Sequence, residues 1–312
     1  HARFDLPGKF SDHSPCTVSV FEEEDRGATP FKFFNMWTKH ENFLDIVSNT
    51  WRMHLRGTAM FKFCKKLKAV KDPLKALNKQ HFSHIAARAE AAEADLTRVQ
   101  QQLHDNPEDQ ELQDAIPELR AKAIKLAEAE LSFCSQLAKA NYLKNSDKCS
   151  KFFHDLIKSN RAKNHIASIS LEDGSRTTSN NQVSEAFVQF YKGLLGTKRD
   201  CIKLNRETIL RGKLLEPDQA SVLLREVSDE EIKSALFSIG EDKAPGPDGY
   251  TSCFYKKAWD VIGRDFIEAV KEFFATGQML KQINHAVLAL IPKSKAADRV
   301  EDFRPIACCN VI

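Results

Sequence analysis

The residues best suited to chemistry begin with a loop-forming segment in the C-terminal half. Residues 243–250 read Lys-Ala-Pro-Gly-Pro-Asp-Gly-Tyr. The two prolines and two glycines exclude a helix interior or a central strand, because proline fixes φ and lacks an N–H, and glycine permits positive φ. We expect a stiff, turning loop with Lys243 at one end and Asp248 near the other. We also expect the Asp248 side chain to cap the helix that follows rather than to bind a metal ion.

Two later segments each place a cation next to a proline. Leu290-Ile291-Pro292-Lys293 ends an apolar run, and Asp302-Phe303-Arg304-Pro305-Ile306 follows it. A neighbouring proline limits the freedom of the backbone that carries each cation. Taken alone, Lys293 and Arg304 are also compatible with ordinary loop cations.

Basic residues are concentrated in two stretches, although the net charge of the whole chain is only +3. Such local excesses attract a phosphate backbone, and solvated helix faces are the alternative. The first stretch contains Arg52, Arg56, Lys62, Lys65, Lys66, Lys68 and Lys71. The second contains Lys139, Lys144, Lys148, Lys151, Lys158, Arg161 and Lys163.

The cysteines and the apolar runs exclude several protein classes. The eight cysteines are scattered and form no Cys-x-x-Cys pair, which argues against a zinc site or a disulfide framework and fits an intracellular setting. No apolar run is long enough to span a membrane, and no signal peptide pattern is present. His81 and His84 have no companion ligands nearby in the sequence, so we interpret them as a helix-surface pair.

The elements that must position these residues are mainly helical. Helix formers dominate residues 58–154, with a break at Asp105-Asn106-Pro107-Glu108. The apolar residues that follow keep a 4-3 alternation, which predicts an antiparallel, coiled-coil-like helical pair. These residues are Leu112, Ile116, Leu119, Ala123, Leu126, Phe133 and Leu137.

Shorter signals complete the expected fold. Residues 166–178 alternate around an Asp-Gly turn, which predicts a β-hairpin. Ser179 is a helix N-cap candidate, and Ser228 with Glu231 forms a capping box. Residues 287–291 predict a short buried strand. The fold class is therefore mainly α with small β elements: a long antiparallel helical hairpin, then a partial α+β region.

Taken in order, the three C-terminal segments resemble the fingers of a reverse transcriptase from a LINE-type (non-LTR) retrotransposon. Phe254-Tyr255-Lys256-Lys257-x-Trp259, between the first and second segments, also fits that series. A further block, residues 144–154, resembles the basic Phe-Phe-His segment that precedes the polymerase in plant LINE-type elements. It has Ser146 and Cys149 where the family more often has Gly and Asn.

The N-terminus resembles a different catalytic motif. Ser11-Asp12-His13-Ser14-Pro15 is similar to the last motif of the endonuclease/exonuclease/phosphatase fold. The resemblance implies that His13 activates the attacking water and that Asp12 helps to fix the metal–phosphate geometry. The other catalytic residues of that fold lie upstream of this motif and are not in this chain, so we expect an inactive remnant.

The resemblance also assigns roles in the polymerase region. Lys293 and Arg304 match the cations that approach the phosphates of the incoming nucleotide. The loop beginning at Lys243 resembles the segment that contacts the template and primer backbones. The basic residues expected to bind nucleic acid further upstream are Lys148, Lys151, Arg161 and Lys163.

The carboxylates that hold catalytic metal ions in this family lie downstream of the Arg-Pro-Ile motif, and no Ala-Asp-Asp occurs here. We therefore expect Mg²⁺ only in the intact parent enzyme, no metal site in this chain, and neither polymerase nor endonuclease activity alone. The implied partners of the parent are an RNA template and a DNA primer or target. We expect no membrane, no small-molecule cofactor beyond dNTP, and a nuclear and cytoplasmic location for the parent element.

The sequence is thus interpreted as an internal piece of a retrotransposon polyprotein with four parts. Residues 1–27 form an endonuclease remnant, 28–160 a helical linker, 161–227 an N-terminal extension, and 228–312 truncated fingers. The alternative is a decayed or domesticated element that serves as a non-enzymatic helical interaction protein.

Overall fold

The structure, a computed structural model, describes residues 2–4, 16–18, 30–138, 149–198, 201 and 203–312, with only the backbone given for 2–4, 17–18 and 149–154. Its strands and helices follow one another in this order: β1 Ala2–Phe4, β2 Cys16–Val18, α1 Phe43–Trp51, α2 Ala59–Leu77, α3 Ile85–Asp105, α4 Gln110–Ala138, α5 Cys149–Asn164, α6 Asn180–Gly196, α7 Arg206–Leu210, α8 Pro217–Leu224, α9 Asp229–Ser238, α10 Ser252–Lys257, α11 Trp259–Thr276, β3 Ala286–Pro292 and β4 Phe303–Cys309. This order confirms a mainly α fold with small β elements.

The chain divides into two compact units. The larger one, here called the helical unit, comprises Pro30–Lys163, Glu226–Leu288 and Ala307–Ile312. The smaller unit comprises Asn164–Arg225 and Ala289–Ile306 together with the described part of the N-terminus. The four-part division expected from the sequence stays a prediction.

An aromatic core holds the helical unit together. Phe33, Phe63, Tyr250 and Phe254 are fully buried there. The Tyr250 and Phe254 ring centroids lie 4.4 Å apart, and those of Phe33 and Phe254 lie 5.3 Å apart. Aromatic pairs at these separations contribute beyond the area they bury. The aromatic residues of segment 31–51 therefore pack against neighbouring elements.

The helical hairpin is shorter than the sequence suggested. A four-residue turn, 106–109, joins α3 to α4, and the two helices pack along each other. The first arm begins at Ile85 and not near residue 58, because a π-helical turn, Asn78–Phe82, and a left-handed His84 with φ of 54° separate it from α2. A non-glycine residue at positive φ gives no composition signal, so this break was not predicted. A coiled coil stays a prediction.

The smaller unit is built on a compact turn and one helix. Ser170 and Arg176 form a single β-bridge around the Asp-Gly turn, so the predicted hairpin is reduced to one bridge. Ser179 caps α6 by accepting a hydrogen bond from the Gln182 amide, as predicted. The Phe187 and Phe303 rings meet edge to face at 5.3 Å, and they share a small core with Ile169 and Val183.

Strands β3 and β4 pair in a two-stranded sheet, and the Lys293 N–H donates to the Asp302 carbonyl at 2.8 Å where the hairpin closes. The predicted strand at residues 287–291 is confirmed, but the prediction that it is buried is wrong. Val287 is 52% exposed and Leu288 is 45% exposed. An apolar run predicts burial only where another layer covers it.

The ends of two further helices carry recognisable capping residues. Ser228 and Glu231 form the expected reciprocal capping box of α9, and α11 ends at Gly277 with a φ of 67°. Among the described helices, none combines the length and apolarity that a membrane span needs.

Candidate nucleic-acid interface

The Pro-Gly loop is fixed to the helical unit by its C-terminal end. The Phe33 N–H donates to the Gly249 carbonyl at 2.8 Å, and the Tyr250 hydroxyl donates to the Leu67 carbonyl of α2 at 2.7 Å. Gly249 has a φ of 81°, and a Cβ there would collide with the Phe31 carbonyl. Only glycine combines a positive φ with the absence of a Cβ, so backbone geometry and packing require glycine at this position.

Asp248 holds the shape of the loop. Its carboxylate accepts the Tyr250 N–H at 2.9 Å and the Tyr255 hydroxyl at 3.1 Å. Burial raises the pKa of this carboxyl, and these two hydrogen bonds and Lys71 oppose the rise. The predicted helix-capping role is wrong: Thr251 occupies the N-cap of α10, and Asp248 instead bonds two residues ahead in an Asx-type turn.

The loop also contacts the segment that follows the Arg-Pro-Ile motif. The Asp248 N–H donates to the Asn310 side-chain oxygen at 3.0 Å, and the Asn310 amide donates to the Ile283 carbonyl at 3.0 Å. A Cβ at Gly246 would collide with the backbone of Cys309 and Asn310. Two segments that are far apart in sequence are therefore in direct backbone contact.

Lys243 lies at the open end of this loop. Its side chain is exposed, and its N–H donates to the Gly240 carbonyl at 3.3 Å. An exposed cation on an anchored loop is accessible to a phosphate. The nucleic-acid contact itself stays a prediction.

Lys293 and Arg304 lie at the same end of the β3–β4 hairpin. Lys293 directly follows β3 and donates from its ammonium to the Glu301 carbonyl at 2.5 Å. Arg304 is the second residue of β4 and is exposed. Lys293 thus helps to hold its own loop, and the nucleotide-binding role of both cations stays a prediction.

Sequence reasoning missed an ion pair that fixes this loop within the smaller unit. Arg176 binds the Asp298 carboxylate through both terminal nitrogens, at 2.6 and 3.0 Å, and the Ser170 hydroxyl donates to it at 2.5 Å. These contacts hold the pKa of Asp298 below its usual value, and the hydrogen bonds from Arg176 and Ser170 contribute more than the charge of Arg176. The partners are 122 residues apart, and no local pattern marks such a pair.

The remaining predicted site residues are only partly described. Arg161 and Lys163 are exposed near the end of α5. The side chain of Lys151, on the same helix, is not among those described. Lys148, His13 and Asp12 lie outside the described residues.

The first basic stretch is not a uniform solvated face. Lys66 on α2 forms a partly buried ion pair with Asp265 of α11 at 2.7 Å, and Asp265 also accepts the Trp51 indole N–H at 2.9 Å. Lys71 is half-buried, with its ammonium 4.9 Å from the centre of the Phe31 ring, and burial lowers its pKa. Lys66 therefore helps to hold α2 against α11, a role that its residue type alone does not indicate.

Within the part of the chain that the structure describes, no group of three or more His, Cys, Asp or Glu side chains could hold a metal ion. The arrangement found is a set of cations on anchored backbone. Cations in such positions are suited to phosphate binding.

Comparison with known proteins finds a transposon-encoded relative. Over 305 residues the chain is 24% identical to the "Transposon TX1 uncharacterized 149 kDa protein" of Xenopus laevis. The aligned region covers 96% of this chain and 23% of that protein, so the chain spans about a quarter of its relative. No family model matches the chain. The similarity supports a transposon origin.

Proposed function

We propose, on the premise of that transposon origin, that this chain is part of a LINE-type retrotransposon reverse transcriptase. It runs from the tail of an endonuclease domain to the first finger motifs, and its own activity is nucleic-acid binding. Support comes from the order of the three C-terminal motifs in the sequence and from the similarity to the TX1 transposon protein over 96% of this chain.

One structural observation carries the proposal. The loop beginning at Lys243 and the segment after the Arg-Pro-Ile motif are joined through Asp248, Asn310 and the close approach of Gly246. Motifs that frame one substrate need fixed relative positions, because small misplacements cost much of the binding energy. The contact fixes the Pro-Gly loop against the backbone of Cys309 and Asn310 within the helical unit.

The proposed roles divide the cations into two sets. Lys293 and Arg304 bind the triphosphate of an incoming dNTP. Lys243, with Lys148, Lys151, Arg161 and Lys163, contacts the backbones of the RNA template and the DNA primer or target. Mg²⁺ would neutralise charge on the triphosphate, but the described residues do not form a site that fits this ion.

The test is binding of a fluorescent RNA-template/DNA-primer duplex, followed by anisotropy between low and high salt. We expect affinity to fall steeply with salt, since each neutralised phosphate contributes a slope of roughly −0.7 to −0.9 in log K against log salt. The triple variant K243A/R161A/K163A should reduce that slope by about 2.

The matched control is K192A/K203A/K213A, which removes the same charge from exposed lysines of the smaller unit. A control that weakens binding as much as the test variant would mean that only net charge matters. Undetectable or salt-independent binding by the wild-type chain would contradict the proposal and favour the helical interaction protein.

A further inference from the structure

A groove lies within the helical unit, between α2 and the Pro-Gly loop. Its volume is about 270 Å³. One wall carries Lys65, Lys68 and Lys71 of α2, and the other is formed by Pro247, Asp248 and Asn310. Phe61, one turn before Lys65, also lines it.

The three lysines lie along one face of α2. Residues three apart are neighbours on a helix surface, so positions 65, 68 and 71 form a row of like charges. Like charges at this spacing repel each other and cost stability. Among the described residues, no carboxylate forms an ion pair with Lys65 or Lys68, whereas Lys66 on the adjacent face is paired with Asp265.

The acid of the groove offsets only part of this row. Asp248 is half-buried and interacts with Lys71, and both of its oxygens already accept hydrogen bonds from Tyr250 and Tyr255. Asp72 is highly exposed and pairs with Lys75 at 3.4 Å. The groove therefore presents a net positive wall to an incoming ligand.

An aromatic ring adds a second kind of contact. Phe61 is 36% exposed, and the Lys65 ammonium lies 5.4 Å from the centre of its ring. Cations next to an exposed ring are the usual means of binding single strands, since the ring stacks on a base and the cations follow the backbone. The bases of a duplex are already stacked and offer no free face.

The length of the row suits a short stretch of strand. Six residues of helix from Lys65 to Lys71 rise roughly 9 Å at 1.5 Å per residue. That distance corresponds to about two to three nucleotides of a strand that keeps the roughly 3.4 Å rise of stacked bases.

We propose that this groove binds a single-stranded nucleic acid, with phosphates at Lys65, Lys68 and Lys71 and one base stacked on Phe61. The inference rests on the proposed function and deepens it. It adds a single-strand track to the duplex contacts assigned to Lys243, Arg161 and Lys163. The shared chemistry is a phosphodiester strand, and the experiment separates RNA from DNA.

The experiment measures anisotropy of the full chain with labelled 20-nucleotide single-stranded RNA, DNA of the same sequence, and a blunt duplex. The main variant is K65A/K68A, because both side chains are exposed. We expect its salt slope to fall by about 1.4 and its affinity at 0.1 M salt to drop by roughly twentyfold, from two lost phosphate contacts. The control K192A/K203A should bind the single strand as the wild type does.

The aromatic contact is tested separately. F61A should lose about tenfold in single-strand affinity, as expected for one lost base stack, whereas F61Y should keep it. If F61A does not fold, as judged by circular dichroism, the lysine pair and F61Y still decide the question.

Three results would overturn the proposal that this groove binds a single strand. The first is K65A/K68A binding with the wild-type affinity and slope, and the second is equal loss in the control. The third is an unchanged preference between single strand and duplex in the lysine variant. Any of these leaves the proposed function standing if the RNA/DNA duplex is still bound, whereas no binding of any nucleic acid overturns both. Preference for RNA assigns the track to the template, and preference for DNA assigns it to the primer or target.

Discussion

At the scale of single residues, Asp248 shows how a motif residue can be structural. Its carboxylate is shielded from water, and it orders the loop by accepting hydrogen bonds from Tyr250 and Tyr255. The charged form is penalised by burial, so this position contributes most to stability when it is protonated.

The raised pKa of Asp248 makes the stability difference between the wild type and D248N depend on pH. Because the pKa of Asp248 is higher in the folded chain than its ordinary 3.8, its contribution is full below 3.8 and is lost as pH rises through the raised value. We expect wild type to lose stability relative to D248N between pH 4 and neutral. Urea unfolding of both proteins at several pH values measures this, and a pH-independent difference would contradict it.

Arg304 provides the cleaner test of nucleotide binding. Lys293 also holds its loop through the Glu301 carbonyl, so its replacement would disturb structure as well as charge. We expect R304A to weaken cross-linking of a photoreactive dNTP severalfold, because a guanidinium bonds a phosphate in two places. K295A, an exposed lysine in the same connection between β3 and β4, should leave the cross-linking unchanged.

At the scale of elements, α2 and α11 are joined by a polar contact inside an apolar interface. The Lys66 side chain is only 15% exposed and that of Asp265 29%, and Trp51 also donates to the carboxylate. Removing one partner leaves the other desolvated without compensation.

We therefore expect D265A to lower the free energy of unfolding by about 2–3 kcal/mol. E268A, on the same helix, breaks an exposed pair with Arg264 and should cost less than about 0.5 kcal/mol. Denaturant unfolding of the two variants measures both losses of stability. Equal losses would show that the α2–α11 pair is no more than a surface contact.

The elements also show which features the sequence could predict. The Ser179 cap and the Ser228 capping box were predicted because their signals are local. The Lys66–Asp265 and Arg176–Asp298 pairs join residues 199 and 122 apart, so only the folded chain brings them together. Likewise, the exposed β3 was mispredicted because burial depends on what lies across from a strand.

At the scale of the whole molecule, exposed cations occur in both units, and no group of three or more His, Cys, Asp or Glu side chains among the described residues could hold a metal ion. On the proposed function, phosphate binding and catalysis are then separable in this polypeptide. We expect the chain alone to give no Mg²⁺-dependent extension of a labelled primer. A control with an intact reverse transcriptase verifies the substrate, and clear extension by this chain would refute its assignment as a non-catalytic part.

The anchoring of the Pro-Gly loop has a consequence for its motion. The Phe33 amide lies outside every helix and strand, yet it donates to the Gly249 carbonyl beside the fully buried Tyr250. That bond can open only if the aromatic core opens with it, so its hydrogen should exchange with solvent as slowly as those of the core helices. The loop then belongs to the most slowly opening part of the helical unit, and the wall that faces the lysine row should unfold locally as rarely as the core does.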